Sequence, residues 1–264
     1  MPKISIVTAY YNRKDLFYLT LKSIAKSKYK DFEVIAVDDG SVSKERIEDL
    51  MKEFPFLKVI RIEPKDKWYI NPCIPFNMGI AEAKGYIIVL QNPECVHVGD
   101  VLSYIVKNLT DDNFISISAY AIDRMKTEAL KHVPIGSLRM WFSGLPQKRF
   151  EAGMGWYNHP KYRDVYYHFC SAITKKNMDL LGGFDERFAG GIARDDVEFI
   201  DRVGRLGLTK TIPLEVSVIH QWHTKVRHYS ETTYSGAFER NKAIYRLLTA
   251  KETSIYKENS YVAK

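Results

Sequence analysis

The sequence predicts an α/β protein with a mixed, mostly parallel central sheet flanked by helices and followed by a helical C-terminal tail. Three observations carry this expectation. Residues 4–10 and 32–39 are β-branched runs that end abruptly in hydrogen-bonding residues, Tyr10-Tyr11-Asn12-Arg13 and Asp38-Asp39-Gly40-Ser41. Between them Leu16, Leu19, Leu21, Ile24 and Ala25 recur at helical spacing, with Lys22, Lys26 and Lys28 on the wet side. A strand, a helix and a second strand of this length make a parallel pair joined by a right-handed crossover. The third observation is the run Tyr86-Ile87-Ile88-Val89-Leu90, the most apolar of the chain. Buried parallel strands lose their alternation, so this run predicts a central strand.

The remaining elements follow in order. Residues 46–54 predict a short helix (Ile47, Leu50, Met51, Phe54) stopped by Pro55, and residues 57–62 a third strand. Residues 74–83 predict a helix ending at Lys84-Gly85, and residues 101–109 another. Residues 114–120 alternate in polarity like one half-exposed strand. Residues 131–168 are rich in Trp, Tyr, Gly, Pro and His without periodicity, which predicts a binding surface or a lid. Regularity returns with a strand at 169–173, a helix at 176–181, an acid-led helix at 195–206 and a last strand at 211–219. The acids of that helix stand in its first turn, where the dipole favours them.

Composition narrows the class. A chain of 264 residues, 45% hydrophobic and 27% charged, is long enough to bury a sizeable core. No apolar run approaches the roughly 20 residues of a membrane span, and the opening Met1-Pro2-Lys3 carries no signal-peptide pattern. Cys73, Cys95 and Cys170 form no Cys-x-x-Cys pair, so reduced thiols and a cytoplasmic location are expected. The net charge of +7 suits nucleic acid, anionic lipid or a phosphorylated substrate. Nucleic acid is disfavoured, since no recognition helix or aromatic-basic repeat accompanies the charge.

Ligands of doubly wound sheets sit beyond the carboxyl ends of the strands, where Tyr10, Asn12, Asp38 and Asp39 fall. The ordered set Tyr-Asn-Arg, Val-Asp-Asp-Gly-Ser, Asn77-x-Gly79, Gln-Asn-Pro-Glu after the apolar strand, Gly-Gly-Phe-Asp-Glu and Asp-Asp-Val-Glu-Phe resembles family 2 glycosyltransferases. The resemblance covers roughly the first 223 residues. It implies the GT-A fold and transfer of a sugar, with inversion, from a nucleotide-diphosphate donor of uracil type to a hydroxyl of a glycan or glycoconjugate. It also implies a glycosyltransferase domain over 1–228, with a nucleotide half at 1–100 and an acceptor and catalytic half at 101–228. Residues 229–264 would be a helical extension.

Residue by residue, the resemblance implies a nucleotide site of Thr8, Ala9, Tyr10, Asn12, Arg13, Asp38, Asp39, Asn77 and Asn92. A carboxylate at Asp38 or Asp39 can accept a uracil imide N–H, although an aspartate turn of this type also serves as a plain helix cap. Where the family carries Asp-x-Asp this chain has Asn92-Pro93-Glu94, keeping one hard oxygen ligand for Mn²⁺ or Mg²⁺ at Glu94. Phe76 stands where relatives place an arginine, leaving Lys65, Lys67 or Arg13 to meet phosphate. Asp196 matches the catalytic base and Asp195 a substrate-binding acid. Relatives also place a histidine near His220-Gln221-Trp222-His223. Two imidazoles three apart do not share a strand face, so one metal ligand is expected, His223 ahead of His220. Trp141, Trp156 and Trp222 are sugar-stacking or core residues.

Two alternatives stay open. A non-catalytic nucleotide-sugar or glycan-binding protein on the same scaffold is the rival class, kept in view by the missing aspartate. Residues 224–264 carry eight basic and four acidic side chains, with Tyr234, Phe238, Tyr245 and Leu248 at roughly helical spacing. A basic amphipathic helix can touch an anionic membrane; packing on the catalytic body or on a second subunit is the commoner outcome.

Overall fold

The computed structural model describes residues 3–224 and 231–250. Its chain builds eleven strands and eight α-helices in the order β1 (Ile4–Tyr10), α1 (Lys14–Ala25), β2 (Phe32–Asp39), β3 (Leu57–Ile62), α2 (Cys73–Glu82), β4 (Ile87–Gln91), β5 (Cys95–Val98), α3 (Val101–Asn108), β6 (Asn113–Ser116), β7 (Ser118–Ala121), α4 (Arg124–Leu130), α5 (Leu138–Ser143), β8 (Gly155–Asn158), β9 (Cys170–Thr174), α6 (Lys175–Leu181), α7 (Asp195–Arg205), β10 (Thr209–Thr211), β11 (Ser217–His220) and α8 (Glu231–Ala250). The main sheet has the order β10-β6-β9-β4-β1-β2-β3, and a second, four-stranded sheet the order β5-β11-β7-β8. Within the main sheet β9 runs against both β4 and β6, while every other neighbouring pair is parallel. The apolar β4 is central, between β1 and β9.

Strand periodicity makes the three layers. Ile4, Ile6, Val34, Ala36, Ile87 and Val89 face one side with Phe17, Leu21 and Ile24 of α1 and Val101, Leu102 and Ile105 of α3. Their neighbours Val7, Ile35, Val37, Ile88 and Leu90 face the other side, against Phe76 and Ile80 of α2, Met178 and Leu181 of α6, and Phe199 and Val203 of α7. Successive side chains of a strand point to opposite faces, so apolar runs without alternation are what a sheet covered on both sides requires. Helix α2 lies so close to β1 that a methyl group on Gly79 would run into Val7. The second sheet has its own core of Val96, Val98, Tyr120, Trp156 and Ile219.

Four sequence expectations are corrected. Residues 46–54 form a 3₁₀ turn, Glu48–Lys52, and Met51 is exposed. Residues 114–120 are two strands in two sheets, fully buried; the chain leaves the main sheet after Ser116 and enters the second at Ser118. Residues 211–219 do the same, as β10 in the main sheet and β11 in the second. Local alternation cannot register which sheet covers a strand. Much of the aperiodic segment 131–168 is built into the second sheet's core through Leu138, Leu145 and Trp156. Trp141 packs partly buried against that core, so two of the three singled-out tryptophans serve packing.

Helix α8 packs on the rest of the fold through Leu248, Ile244 and Tyr245 around Phe188; residues 251–264 of the tail lie outside the described residues. Among the described residues no helix is long and apolar enough to cross a membrane. All three cysteines are buried free thiols.

Helix α7 is anchored by a charge pair inside the core. Arg202 donates from Nε to Glu198 Oε1 at 2.7 Å and from Nη1 to the Leu181 carbonyl at 2.6 Å, with both side chains 1% exposed. Removing one partner leaves an uncompensated buried charge. Arg202→Ala should therefore lower unfolding stability by about 3–5 kcal/mol, read from denaturant midpoints. A loss below about 1 kcal/mol would show that the pair is solvated or dispensable.

Candidate active site

The site lies where the two sheets meet. Strand β4 ends at Gln91 in the main sheet, β5 begins at Cys95 in the second, and Asn92-Pro93-Glu94 is the turn between them. The turn is held by the Asn92 amide on the Phe169 carbonyl (3.0 Å) and the Cys95 amide on the Asn92 carbonyl (3.1 Å). It delivers Glu94 at 2% exposure into a ring of positive or protonatable groups. Arg13 Nη1 donates to Oε2 at 2.8 Å; His220 Nε2 and His223 Nε2 stand 3.2 and 3.4 Å from Oε1. Burial alone would raise the Glu94 pKa, but Arg13 and the two imidazoles reverse it and hold the carboxyl well below its usual range.

Both histidines therefore reach Glu94, against the expectation of a single one. The two-residue period of a strand applies only up to His220, where β11 ends. Beyond it Gln221, fully buried, turns the chain: its amide and its side-chain Nε2 both donate to the Glu94 carbonyl, at 3.1 and 3.0 Å, and Nε2 also reaches the Leu16 carbonyl at 3.1 Å. His223 is brought round to the same carboxylate oxygen as His220, Glu94 Oε1. One ligand atom from each of Glu94, His220 and His223 lies within 4.8 Å of the others. A carboxylate oxygen with two imidazole nitrogens is a donor set that suits Mn²⁺ and other first-row divalent ions, so the residues fit a metal.

The residues expected to meet the nucleotide stand at the ends of β1, β2 and β3. Asp38 is fully buried, accepts the Ser41 amide at 2.9 Å and faces Arg61 Nη2 at 3.1 Å. Asp39 accepts Lys67 Nζ at 2.6 Å and the Tyr69 hydroxyl at 2.8 Å. Burial raises the Asp39 pKa by more than Lys67 and Tyr69 lower it. Lys67 also lies over the Tyr11 ring, 4.5 Å from its centre. Asn12 adopts a left-handed φ of 49° and locks the two loops together: its amide donates to Ser41 Oγ and its Oδ1 accepts the Val42 amide, both at 3.0 Å. Thr8 and Tyr10 are buried at the end of β1, with Ala9 partly so. The Tyr10 hydroxyl donates to the Glu45 carbonyl at 2.6 Å and accepts the Arg13 amide at 3.1 Å.

Asn77 is placed elsewhere. Its Oδ1 accepts the Phe184 amide and its Nδ2 donates to the Phe184 carbonyl and Glu186, so its amide clamps the Gly183-Phe184 turn. Phe76 is buried against Phe184 and His168. Trp222 is 39% exposed, with Arg124 over its ring at 5.5 Å.

Asp195 and Asp196 open α7, as expected, but through a strained entry. Ala193 and Arg194 have φ of 60° and 73°, a left-handed conformation that costs on the order of 1–2 kcal/mol per non-glycine residue. Asp195 is buried, with Oδ1 accepting Asn71 Nδ2 at 2.8 Å. The Asn71 amide in turn donates to the Ala189 carbonyl at 3.1 Å. Asp196 accepts the Val197 amide at 2.8 Å; desolvation, then the Asp195 charge beside it, raises its pKa to about 7. The charge of Asp196 is felt at Tyr167, whose ring lies 6.3 Å from Phe169, itself 5.6 Å from His220. Acids and histidines thus border one aromatic patch.

Lys67, Tyr69, Asn71 and Gln221 hold this geometry. Only Lys67 had a signal in the sequence, as a candidate phosphate contact; the others are single polar residues in irregular chain, without a period to mark them.

The model of the family described as Glycosyl transferase family 2 matches residues 5–164. Chondroitin synthase of Escherichia coli is 36% identical over 113 residues, which are 42% of this chain and 16% of that protein. The O-antigen biosynthesis protein RfbC of Myxococcus xanthus is 24% identical over 226 residues, 83% of this chain and 17% of that protein. The chain spans about a sixth of the length of these curated relatives. Among solved structures, Staphylococcus aureus TarS 1–349 in complex with UDP-GlcNAc superposes with a TM-score of 0.63 at 16% identity, covering 94% of this chain and 66% of that one. The mannosyltransferase PcManGT of Pyrobaculum calidifontis, in complex with GDP-Man and Mn²⁺, gives 0.54 at 16% identity, covering 86% and 59%. At such identities the two structures speak for the fold, and they share the GT-A architecture. With the family model matching more than half of its length, the chain belongs to glycosyl transferase family 2.

Proposed function

We propose that this chain transfers a sugar, with inversion, from a uridine-diphosphate donor to a hydroxyl of a glycan or glycoconjugate, with Asp196 as base. The observation that carries the reading is the carboxylate pair at the start of α7. Asp195 is pinned by Asn71, while Asp196 has its proton affinity raised to about 7, where a base is both ionised and able to hold a proton. In the transfer, the acceptor oxygen bonds to the anomeric carbon as its proton passes to an Asp196 oxygen. The bond from that carbon to the diphosphate oxygen breaks, and the electron pair leaves with the diphosphate. Residues 1–100 form the nucleotide half in this scheme, 101–228 the acceptor and catalytic half, and 229–264 the extension.

On the donor side, Asp39 accepts the imide N–H and Lys67 beside it faces the neighbouring carbonyl oxygen of the base. Guanine presents the same edge on a larger ring, and the two solved neighbours bind UDP-GlcNAc and GDP-Man respectively. Competition between UDP and GDP, with UDP expected to bind tighter, decides between them. Asp39→Ala should weaken UDP binding by about 1–3 kcal/mol, the scale of a hydrogen bond to a charged group. Unchanged affinity by calorimetry would remove Asp39 from the base site.

Glu94, His220 and His223 would hold the divalent ion, with Asn92 beside the phosphates and Arg13 as a cation already at Glu94. A bound ion supplies positive charge to the leaving diphosphate. Chelator should abolish activity and Mn²⁺ restore it more fully than Mg²⁺, because two of the three donors are imidazoles. Glu94→Ala should not recover at moderate Mn²⁺. Full activity in excess chelator would leave charge neutralisation to cationic side chains such as Arg13.

Asp196 must be ionised to accept a proton, so kcat should fall as pH drops through about 7. Asp196→Asn should lower kcat by roughly 10²–10⁴-fold and leave donor affinity intact. Its effect on stability has the opposite sense. Between about pH 4, where the unfolded carboxyl releases its proton, and pH 7, the folded state retains that proton, so wild-type stability declines as pH rises. The Asn variant should therefore melt above wild type at pH 8 and alongside it at pH 4. Wild-type turnover in Asp196→Asn with a dead Asp195→Asn would reverse the two roles.

A further inference from the structure

We propose that helix α8 belongs to the catalytic machinery as a positioning element, with Asn241 fixing the turn that presents Asp195 and Asp196. The inference rests on the assignment of those acids above. The turn itself is improbable: Ala193 and Arg194 are consecutive non-glycine residues in the left-handed region, at φ 60° and 73°. Such residues persist only where their surroundings over-determine them. Here the surroundings come from two sides, and one of them is α8.

On the body side, the Ile70 and Asn71 amides both donate to the Ala189 carbonyl, at 3.0 and 3.1 Å, and Asn71 reaches Asp195. On the α8 side, Asn241 is fully buried and divides its Nδ2 between the Phe188 carbonyl at 3.0 Å and the Ala193 carbonyl at 2.9 Å. The Ile192 amide donates to the Ala237 carbonyl of α8 at 3.1 Å, and Arg240 Nη1 donates to the Arg187 carbonyl at 3.0 Å. Arg194 lays its guanidinium over the Phe238 and Tyr245 rings, 5.5 and 5.7 Å from their centres. Gly191 approaches so closely that a methyl group there would strike Asn241 and the Ala237 carbonyl. Carbonyls of 187, 188 and 193 and the amide of 192 are thus all satisfied by one helix. The Arg194 carbonyl then accepts the Glu198 amide at 3.0 Å and starts α7.

This arrangement differs from a tail that merely covers apolar surface. The apolar part of the contact is small, Leu248 with Ile244 and Tyr245 on Phe188. The polar part is directed at backbone groups within eight residues of Asp195. Asn241 touches no substrate in this scheme; it acts through the turn.

The test measures nucleoside-diphosphate release from the fastest-used donor of a panel of UDP- and GDP-sugars, well below the melting temperature. Asn241→Ala should lower kcat by about 10- to 100-fold, the scale of displacing a catalytic group by an ångström, with calorimetric donor affinity within about twofold of wild type. Phe238→Leu, which removes a ring beneath Arg194 and leaves the buried core intact, should lower kcat by a smaller factor at unchanged donor affinity. Leu102→Ala, in the core cluster under α3, serves as a stability control that should lower the melting temperature without lowering kcat. The inference is overturned if Asp196→Asn is dead while both α8 variants keep kcat, or if Leu102→Ala slows turnover as much as Asn241→Ala does. Wild-type turnover in Asp196→Asn overturns the assignment of the base, and with it this inference.

Discussion

A carboxylate at 2% exposure cannot stay ionised without opposite charge close by, and Glu94 organises the molecule around that need. Its partners come from the turn after β1, where Arg13 lies, and from the end of β11 and the turn after it, where His220 and His223 lie. These segments are 81 to 129 residues away in sequence, and each brings a charge or a hydrogen bond that favours the ionised carboxylate. Gln221 secures the arrangement by binding the backbone of Glu94 as well. A divalent ion would enter a site that is already electrically balanced, and so would compete with Arg13 for the same oxygens.

The acids on the other side of the site obey the opposite logic. Asp196 is placed beside a like charge and partly desolvated, and its proton affinity rises where that of Glu94 falls. Two carboxylates with opposed environments are the usual signature of a division between binding and proton transfer. The cost of holding Asp196 this way falls on α7, which has no side-chain cap at Arg194 and is instead moored by the buried Glu198–Arg202 pair and by its neighbours.

The main sheet was largely legible from residues alone. Runs such as Val34–Val37 and Ile87–Leu90, apolar on both faces, announce a two-sided cover, and the motif order pointed to Asp38, Asp39, Glu94 and Asp195-Asp196. What escaped was long-range. That residues 114–120 change sheets depends on neighbours far away in the chain, β9 and β10 on one side of Ile117 and β8 and β11 on the other. That both histidines converge on Glu94 was missed because a strand rule was carried past the end of a strand. Asn77 kept its family position but has its amide occupied at Phe184. Asn71 and Gln221 are single polar residues whose importance lies in what they bind.

The passage between sheets has a further consequence. Segments β6–β7 and β10–β11 run side by side, β10 parallel to β6 and β11 parallel to β7, and both leave the main sheet for the second along the same line. Together with the β4–β5 turn, three lengths of backbone cross that line like stitches through two pieces of cloth. Neither sheet can slip by one residue without dragging these crossing segments, and through them the other sheet, out of register. The two sheets are therefore a single cooperative unit of folding, and the loss of either one would dissolve the seam that Glu94 occupies.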